Sequence, residues 1–157
     1  MEHIIVESIG RQAKGAQLLA MLLEEEHRLL QRGNPQSVAG IELMVQELVR
    51  QMASERAMVG RVLRRMGYTR VQELLPQLPD ATREQCQQTL AALEDGEQKS
   101  ARQSMMNMDL AQALLEQTRG LLARIQKDLI PKDTTVYTAR GVWSSGRPRT
   151  GLVQGRL

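Results

Sequence analysis

The stretch Ile41–Met66 constrains the fold most, because its apolar residues recur at intervals of three and four instead of alternating. Glu55 occupies the one position that breaks this heptad repeat. Such spacing predicts a single helix about 39 Å long, with a narrow seam that faces other helices. Glu55 on this seam either fixes the packing register or lies where the helices separate. The seam consists of Ile41, Val45, Leu48, Met52, Val59, Val62 and Met66.

A preceding periodic segment, residues 2–32, predicts a first long helix that can pack along this seam. Gly33 suits the position just past its end. Asn34 can cap the next helix, with Pro35 at the first helical position. The resulting short connection predicts an antiparallel hairpin of the first two helices. The stripe of the first helix is Ile5, Ile9, Ala16, Leu19, Leu23 and Leu30.

An elbow follows the second helix, which is expected to end at Gly67. Residues 68–75 predict a brief helix, with Thr69 and Gln72 as its capping box. Two prolines, at positions 76 and 79, then interrupt the helical pattern. This elbow allows the chain to turn back along the hairpin.

A third helical region begins at a cap, either Asp80 or Thr82, and Gly96 predicts a break or kink within it. Residues 97–130 then carry two apolar stripes. One stripe can face the bundle, and the other has no evident neighbour. It is either a partner surface or the sign of a more deeply buried helix. The first stripe is Ala101, Met105, Met108, Leu115, Leu122, Ile125 and Leu129, and the second is Leu110, Leu114 and Leu121.

The predicted fold is therefore all-α: an elongated antiparallel bundle of three to four long helices with coiled-coil-like packing. We place the bundle at residues 1–131 and a flexible basic tail at residues 132–157. The chain has no Phe and nine Met, so the core must be aliphatic. The tail carries five basic side chains and one acidic one. It also holds Tyr137 and Trp143, and aromatic residues in such a segment favour a role as partner anchors.

The sequence lacks the complete sets of residues that catalytic and metal sites require. The Glu-x-x-His spacing that ends at His27 resembles one half of a di-iron motif, but the second half is missing. Cys86 is the only cysteine, and its helix has no paired His. We expect neither enzyme activity nor a cofactor or metal. The first ten residues lack the pattern of a signal peptide and no apolar run is long enough to span a membrane, so we expect a cytoplasmic protein.

The helix order and two short motifs resemble the FlgN family of flagellar type III export chaperones. The family's last long helix usually carries Asn-x-x-Asn before an apolar pair. Here Asn107 matches the second Asn, and Ser104 replaces the first. The family also tends to show a Tyr after that helix, followed by small residues and Gly. Tyr137 begins such a stretch, Tyr137-Thr-Ala-Arg-Gly141.

The resemblance implies a binding protein for the helical C-terminal ends of hook–filament junction proteins. It would keep them soluble and deliver them to the cytoplasmic domain of the flagellar export gate. Tyr137 is the expected contact with the gate. Two other hypotheses remain: a structural coiled-coil or adaptor subunit, and a nucleic-acid-binding protein that acts through its basic tail, although we expect no nucleic-acid partner. The expected substrate-binding residues are Met105, Asn107, Met108, Leu115 and Leu122.

Overall fold

The computed structural model describes residues 2–129 and the pairs 136–137 and 143–144. It confirms the all-α class. The elements in chain order are α1 (Glu2–Gln31), α2 (Pro35–Arg65), α3 (Val71–Leu74), a 3-10 turn (Leu75–Gln77), α4 (Asp80–Leu129), β1 (Val136–Tyr137) and β2 (Trp143–Ser144). The chain divides into two compact units, residues 1–112 and 113–157, and α4 contributes to both.

The turn between α1 and α2 has the predicted capping groups. Gly33 adopts a φ of +66°, a conformation that glycine adopts without steric cost. The Asn34 N–H donates to the Leu29 carbonyl at 3.2 Å, and the Gly33 N–H donates to Leu30 at 3.1 Å. These two bonds form a Schellman motif. Asn34 then accepts a hydrogen bond from the Ser37 N–H at 3.2 Å, with its side-chain oxygen, and so caps α2.

The end of α2 repeats this arrangement at Gly67, which has a φ of +85°. The Tyr68 N–H donates to the Leu63 carbonyl at 3.0 Å, and the Gly67 N–H donates to Arg64 at 3.2 Å. Both predicted glycine positions are therefore confirmed. The chain leaves α2 in a fixed direction toward the elbow.

The predicted capping box of the elbow is wrong in both residues: the N-cap is Arg70 and not Thr69, and the residue that reaches back is Glu73 and not Gln72. Its carboxylate accepts from the Thr69 N–H at 2.8 Å and from the Thr69 hydroxyl at 2.7 Å. A carboxylate accepts both bonds more strongly than a neutral amide would. These bonds lower the pKa of Glu73, with the backbone bond from Thr69 as the largest cause. The brief helix is also shorter than expected, because Pro76 lies in the 3-10 turn that follows.

The seam of α2 has the predicted register. Ile41 and Val59 are buried, and Val45, Leu48, Met52, Val62 and Met66 are half-buried. The main apolar cluster lies near the elbow, where the N-terminal part of α1 meets the C-terminal part of α2. Burial of these side chains in a continuous cluster is the main stabilising contribution to this unit. Its buried members are Ile5, Ile9, Val59, Leu63, Leu74, Leu75, Leu78 and Cys86.

The predicted break at Gly96 is wrong, because α4 continues from Asp80 to Leu129. Gly96 is buried, and its missing side chain allows α4 to approach Ala16 of α1 closely. Contact between small residues of this kind compensates for the low helix propensity of glycine. Neither predicted cap begins α4 either: Asp80 is the first helical residue, and the Pro79 carbonyl accepts from the Arg83 N–H at 2.8 Å.

The inward stripe of α4 in the first unit contains small and polar residues where an apolar stripe would be expected. Its buried and half-buried members together are spaced by three and four, as on one face of a helix. Ala16 of α1 lies against Gly96, and the Leu23 carbonyl accepts a hydrogen bond from Asn107. Because the residue numbers rise in the same direction along both helices, α1 and α4 run parallel here. The stripe comprises Cys86, Gly96, Ser100 and Asn107, with the half-buried Leu90, Leu93, Gln103 and Leu110 between them.

The second unit contains residues 113–129 of α4 and a two-stranded antiparallel ladder. Leu114 is half-buried, whereas the side chains from 115 to 129 are exposed. Val136 pairs with Ser144, and Tyr137 pairs with Trp143. The sequence did not predict this ladder. The other residues of the expected flexible tail, 132–157, lie outside those described.

Candidate substrate-binding surface

Four of the five predicted substrate-binding residues lie on the surface of α4. Met105 and Met108 in the first unit are each 63% exposed. In the second unit, Leu115 is 49% exposed and Leu122 is 53% exposed. We call these four residues the exposed arc. Contact of these large apolar side chains with water is unfavourable. An apolar partner that covers them therefore forms a more stable complex.

Asn107, the fifth predicted residue, is only 4% exposed and faces α1. Its amide nitrogen donates to the Leu23 carbonyl at 2.7 Å and to a Glu26 carboxylate oxygen at 2.9 Å. Its amide oxygen lies 3.0 Å from His27 Nδ1 and accepts from the Gln103 amide at 2.9 Å. These contacts use the full hydrogen-bonding capacity of the amide. In this conformation Asn107 holds α4 against α1 and has no free group for a bound segment.

His27, the histidine of the motif that resembled half of a di-iron site, belongs to this hydrogen-bond network. Its Nδ1 faces Asn107, and its Nε2 lies 3.1 Å from the Gln31 amide nitrogen. Nε2 therefore accepts from Gln31, and Nδ1 carries the proton that Asn107 accepts. Within the described residues no group of three or more His, Cys, Asp or Glu side chains is arranged to hold a metal.

A groove of about 380 Å³ lies between α1, α2 and α4 within the first unit. Leu19 and Leu23 of α1 line it, and we call the lining residues of α2 and α4 its two walls. Arg56 of α2 and Glu97 of α4 form an ion pair across one end. The remaining wall residues are Val45, Val49, Met52 and Ala53 from α2, and Ser100, Ala101 and Ser104 from α4.

Glu55, the polar member of the α2 seam, binds α1. It accepts from the Ser8 hydroxyl at 2.5 Å and from Arg11 Nε at 2.7 Å. The Arg11 bond, followed by the Ser8 bond, lowers the pKa of Glu55. A charged seam residue with fixed partners specifies one register between two helices. Of the two interpretations from sequence, the structure favours register fixing.

Comparison with sequence models of protein families identifies the family. The sequence model of the FlgN family, described as "FlgN protein", matches residues 1–144. The chain belongs to the FlgN family. Searches of the curated proteins and of the solved structures gave no significant match. The FlgN family is one of flagellar export chaperones, which bind proteins and are not known as enzymes.

The two FlgN-type motifs lie in different surroundings. Ser104, in place of the first Asn, lines the groove, and Asn107 lies against α1. Tyr137 lies in β1, with its backbone opposite Trp143. Its side chain lies outside the described residues. No helix in the described part of this FlgN family member is long and apolar enough to cross a membrane.

Sequence reasoning missed the groove because its walls combine the α2 seam with the small residues of α4. Val45 and Met52 were predicted as part of the seam, and no sequence signal showed that α4 leaves this part of α2 partly uncovered. A usable signal did exist on α4. Gly96, Ser100, Gln103 and Asn107 follow one another at intervals of four, three and four. These are the intervals of an apolar helix stripe, but this stripe consists of small and polar residues.

Proposed function

We propose that this protein is a cytoplasmic export chaperone that binds the C-terminal helical segments of hook–filament junction proteins. It keeps those segments soluble and unassembled, and delivers them to the cytoplasmic domain of the flagellar export gate. Membership of the FlgN family supports the chaperone role. The observation that carries the substrate assignment is the exposed arc of α4.

The chemistry of the exposed arc suits an amphipathic helix. Methionine is unbranched and polarisable, so Met105 and Met108 adapt to apolar side chains of different shapes. Leu115 and Leu122 add apolar area further along α4. A helix that presents apolar residues at intervals of three and four can cover such side chains. The same contacts would protect the substrate segment from association with other copies of itself.

Asn107 has an indirect part in this proposal. Its bonds to Leu23 and Glu26 hold α4 in place, so that Met105 and Met108 remain on the outer side. Tyr137 has a separate part as the contact with the gate. It belongs to neither the seam of α2 nor the exposed arc, so substrate and gate contacts can form at the same time.

The test is calorimetry with the C-terminal segment of each junction protein from the same organism. The double variant Met108→Ser/Leu115→Ser should bind the preferred segment about tenfold more weakly or worse, because two apolar anchors are lost. Its stability should change little, because both residues are exposed. The matched control is Leu43→Ser/Met44→Ser, which removes two exposed apolar residues from α2. It should bind like the wild type.

Two outcomes would contradict the proposal. The first is that the wild type binds none of the junction-protein segments. The second is that lost binding in the arc variant is accounted for by unfolding. Light scattering distinguishes the structural coiled-coil alternative, which predicts an oligomer that persists on dilution.

A further inference from the structure

The groove in the first unit runs along one face of α2. On α2, Val45, Val49, Met52 and Arg56 follow at intervals of four, three and four, so they share one face. From Val45 to Arg56 this face is about 16 Å long, or three helical turns. Leu19 of α1 also lines the groove. The opening therefore matches the apolar face of one further helix of about three turns.

The α4 wall of the groove continues along the helix to Met105 and Met108 of the same unit. Glu97, Ala101 and Ser104 line the groove at intervals of four and three, and Met108 is the next residue on the same face. Met105 follows Ala101 by four positions. The open apolar groove and the two exposed methionines thus form one surface within the first unit. A helix that covers the methionines can also place side chains in the groove.

The two ends of the groove differ in charge. Arg56 lies at the end nearer the elbow, where it forms an ion pair with Glu97. At the other end, Glu42 is exposed and precedes Val45 by three positions on the same face. A helix carries partial positive charge at its N-terminus and partial negative charge at its C-terminus. Charge complementarity therefore favours an occupant whose N-terminal end lies toward Glu42 and whose C-terminal end lies toward Arg56.

We propose that this groove is the seat for the apolar face of the substrate's C-terminal helix, which lies parallel to α2 with its terminal carboxylate toward Arg56. The proposal rests on the proposed chaperone function and deepens it. Met105 and Met108 cover one edge of the bound helix, while Leu19, Val49 and Met52 receive its largest side chains. Glu97 competes with the incoming carboxylate for Arg56.

The first experiment fills the groove. Ala101→Trp places a large ring in the groove and should weaken binding of the junction-protein segment about tenfold or more, the effect of losing a buried apolar anchor. Ala91→Trp is the matched control, since Ala91 is an exposed alanine of α4 outside the groove. Val49→Ser removes apolar area from the opposite wall and should also weaken binding. Because Val49 is 46% exposed, this variant keeps the fold if Ala101→Trp does not.

The second experiment tests the direction of the bound helix. The segment is used with a free terminal carboxylate and with a terminal amide. Amidation should weaken binding to the wild type by about twofold to fivefold. The effect should disappear in Arg56→Gln and grow in Glu97→Gln, where Arg56 has no competing carboxylate. An equal effect of amidation in all three proteins would overturn the direction.

The outcomes separate this proposal from the proposed function. If the wild type binds no segment, the chaperone assignment itself fails. If the wild type binds, and Ala101→Trp and Val49→Ser bind equally well, the groove assignment alone is overturned. It is also overturned if these variants dissociate a wild-type dimer while segment binding is unchanged, because the groove would then seat a second copy.

Discussion

Gly96 of α4 lies directly against Ala16 of α1. A Cβ atom at position 96 would stand 2.9 Å from the Ala16 Cβ and 3.3 Å from the Ala16 carbonyl carbon. The first distance is shorter than side chains normally allow, and the second involves backbone that cannot rotate away. Ser100, one turn further along α4, donates to the Ala16 carbonyl at 3.4 Å. The approach of α4 to α1 thus depends on the absence of a side chain at residue 96.

Gly96→Ala should therefore destabilise the protein, although alanine is the better helix former. Overpacking typically costs about 1–3 kcal/mol, and the helix-propensity gain of about 1 kcal/mol offsets part of it. We expect a net loss of up to about 2 kcal/mol in urea unfolding followed by circular dichroism. Gly40→Ala is the matched control in α2, where a new Cβ meets nothing within 4 Å. It should stabilise the protein by about 0.5–1 kcal/mol. Equal stabilisation by both changes would show that α4 can move away from α1.

The helix ends could be predicted from sequence because their signals are local. Gly33 and Gly67 adopt the left-handed conformation in which a glycine is favoured, and Asn34 caps the helix that follows it. Gly96 is the opposite case. Its local neighbours indicate a weak helix, and the contact that compensates comes from Ala16, which is distant in the sequence. A single sequence does not show which of two glycines in a helical pattern has such a neighbour.

Asn107→Ala should cost about 1–3 kcal/mol of stability, because it removes a donor from the buried Glu26 carboxylate and from the Leu23 carbonyl. Ser104→Ala is the matched control. Ser104 is exposed on the same helix, and its replacement should change the free energy of unfolding by less than about 0.5 kcal/mol. Urea unfolding of the two variants and the wild type measures this difference. Equal stability of both variants would mean that Asn107 does not hold α4 against α1.

The position of Asn107 explains why the site was only partly predicted. The motif identified the residue, and the family resemblance implied that it touches substrate. The structure places it one helix face away from Met108, with its amide directed toward α1. Spacing alone could separate the two faces, since Asn107 continues the series of Gly96, Ser100 and Gln103. Which face was inward depended on the path of α4 over α1, and a polar stripe gives no hydrophobic signal for it.

Glu55 should make stability depend on pH in the acid range. Its pKa is lowered in the folded protein by Arg11 and Ser8, so the folded state favours its charged form. The stabilising contribution is therefore complete above the ordinary glutamate pKa, about 4.3. It is lost as the pH falls through the lower folded value. Glu55→Gln removes this contribution at every pH.

The measurement is the free energy of unfolding of wild type and Glu55→Gln at a series of pH values from 7 downward. The wild type should be more stable at neutral pH, and the difference should shrink as the pH falls below about 4. Other carboxylates titrate equally in both proteins, so the difference isolates Glu55. A difference that stays constant, or grows on acidification, would contradict the assigned role of Arg11 and Ser8.

Tyr137→Ala should separate gate docking from substrate binding. Tyrosine offers an apolar ring with a hydroxyl group and loses little side-chain entropy on docking, which suits a transient anchor. The residue lies outside both the seam of α2 and the exposed arc, in the short strand β1. We therefore expect the variant to bind the junction-protein segment like the wild type. Its complex with that segment should dock more weakly to the cytoplasmic domain of the export gate.

Calorimetry with substrate and with the gate domain, on the wild type and both variants, tests this separation. Tyr137→Phe is the matched control, since it keeps the ring and removes only the hydroxyl group. Most of the gate affinity should be retained in this variant, because the ring supplies the buried apolar area. Gate affinity unchanged by Tyr137→Ala, or substrate affinity reduced by the same factor, would contradict the assignment. A fall in the melting temperature of the isolated Tyr137→Ala protein would instead show that Tyr137 stabilises the fold, since an anchor reserved for a partner contributes nothing before the partner binds.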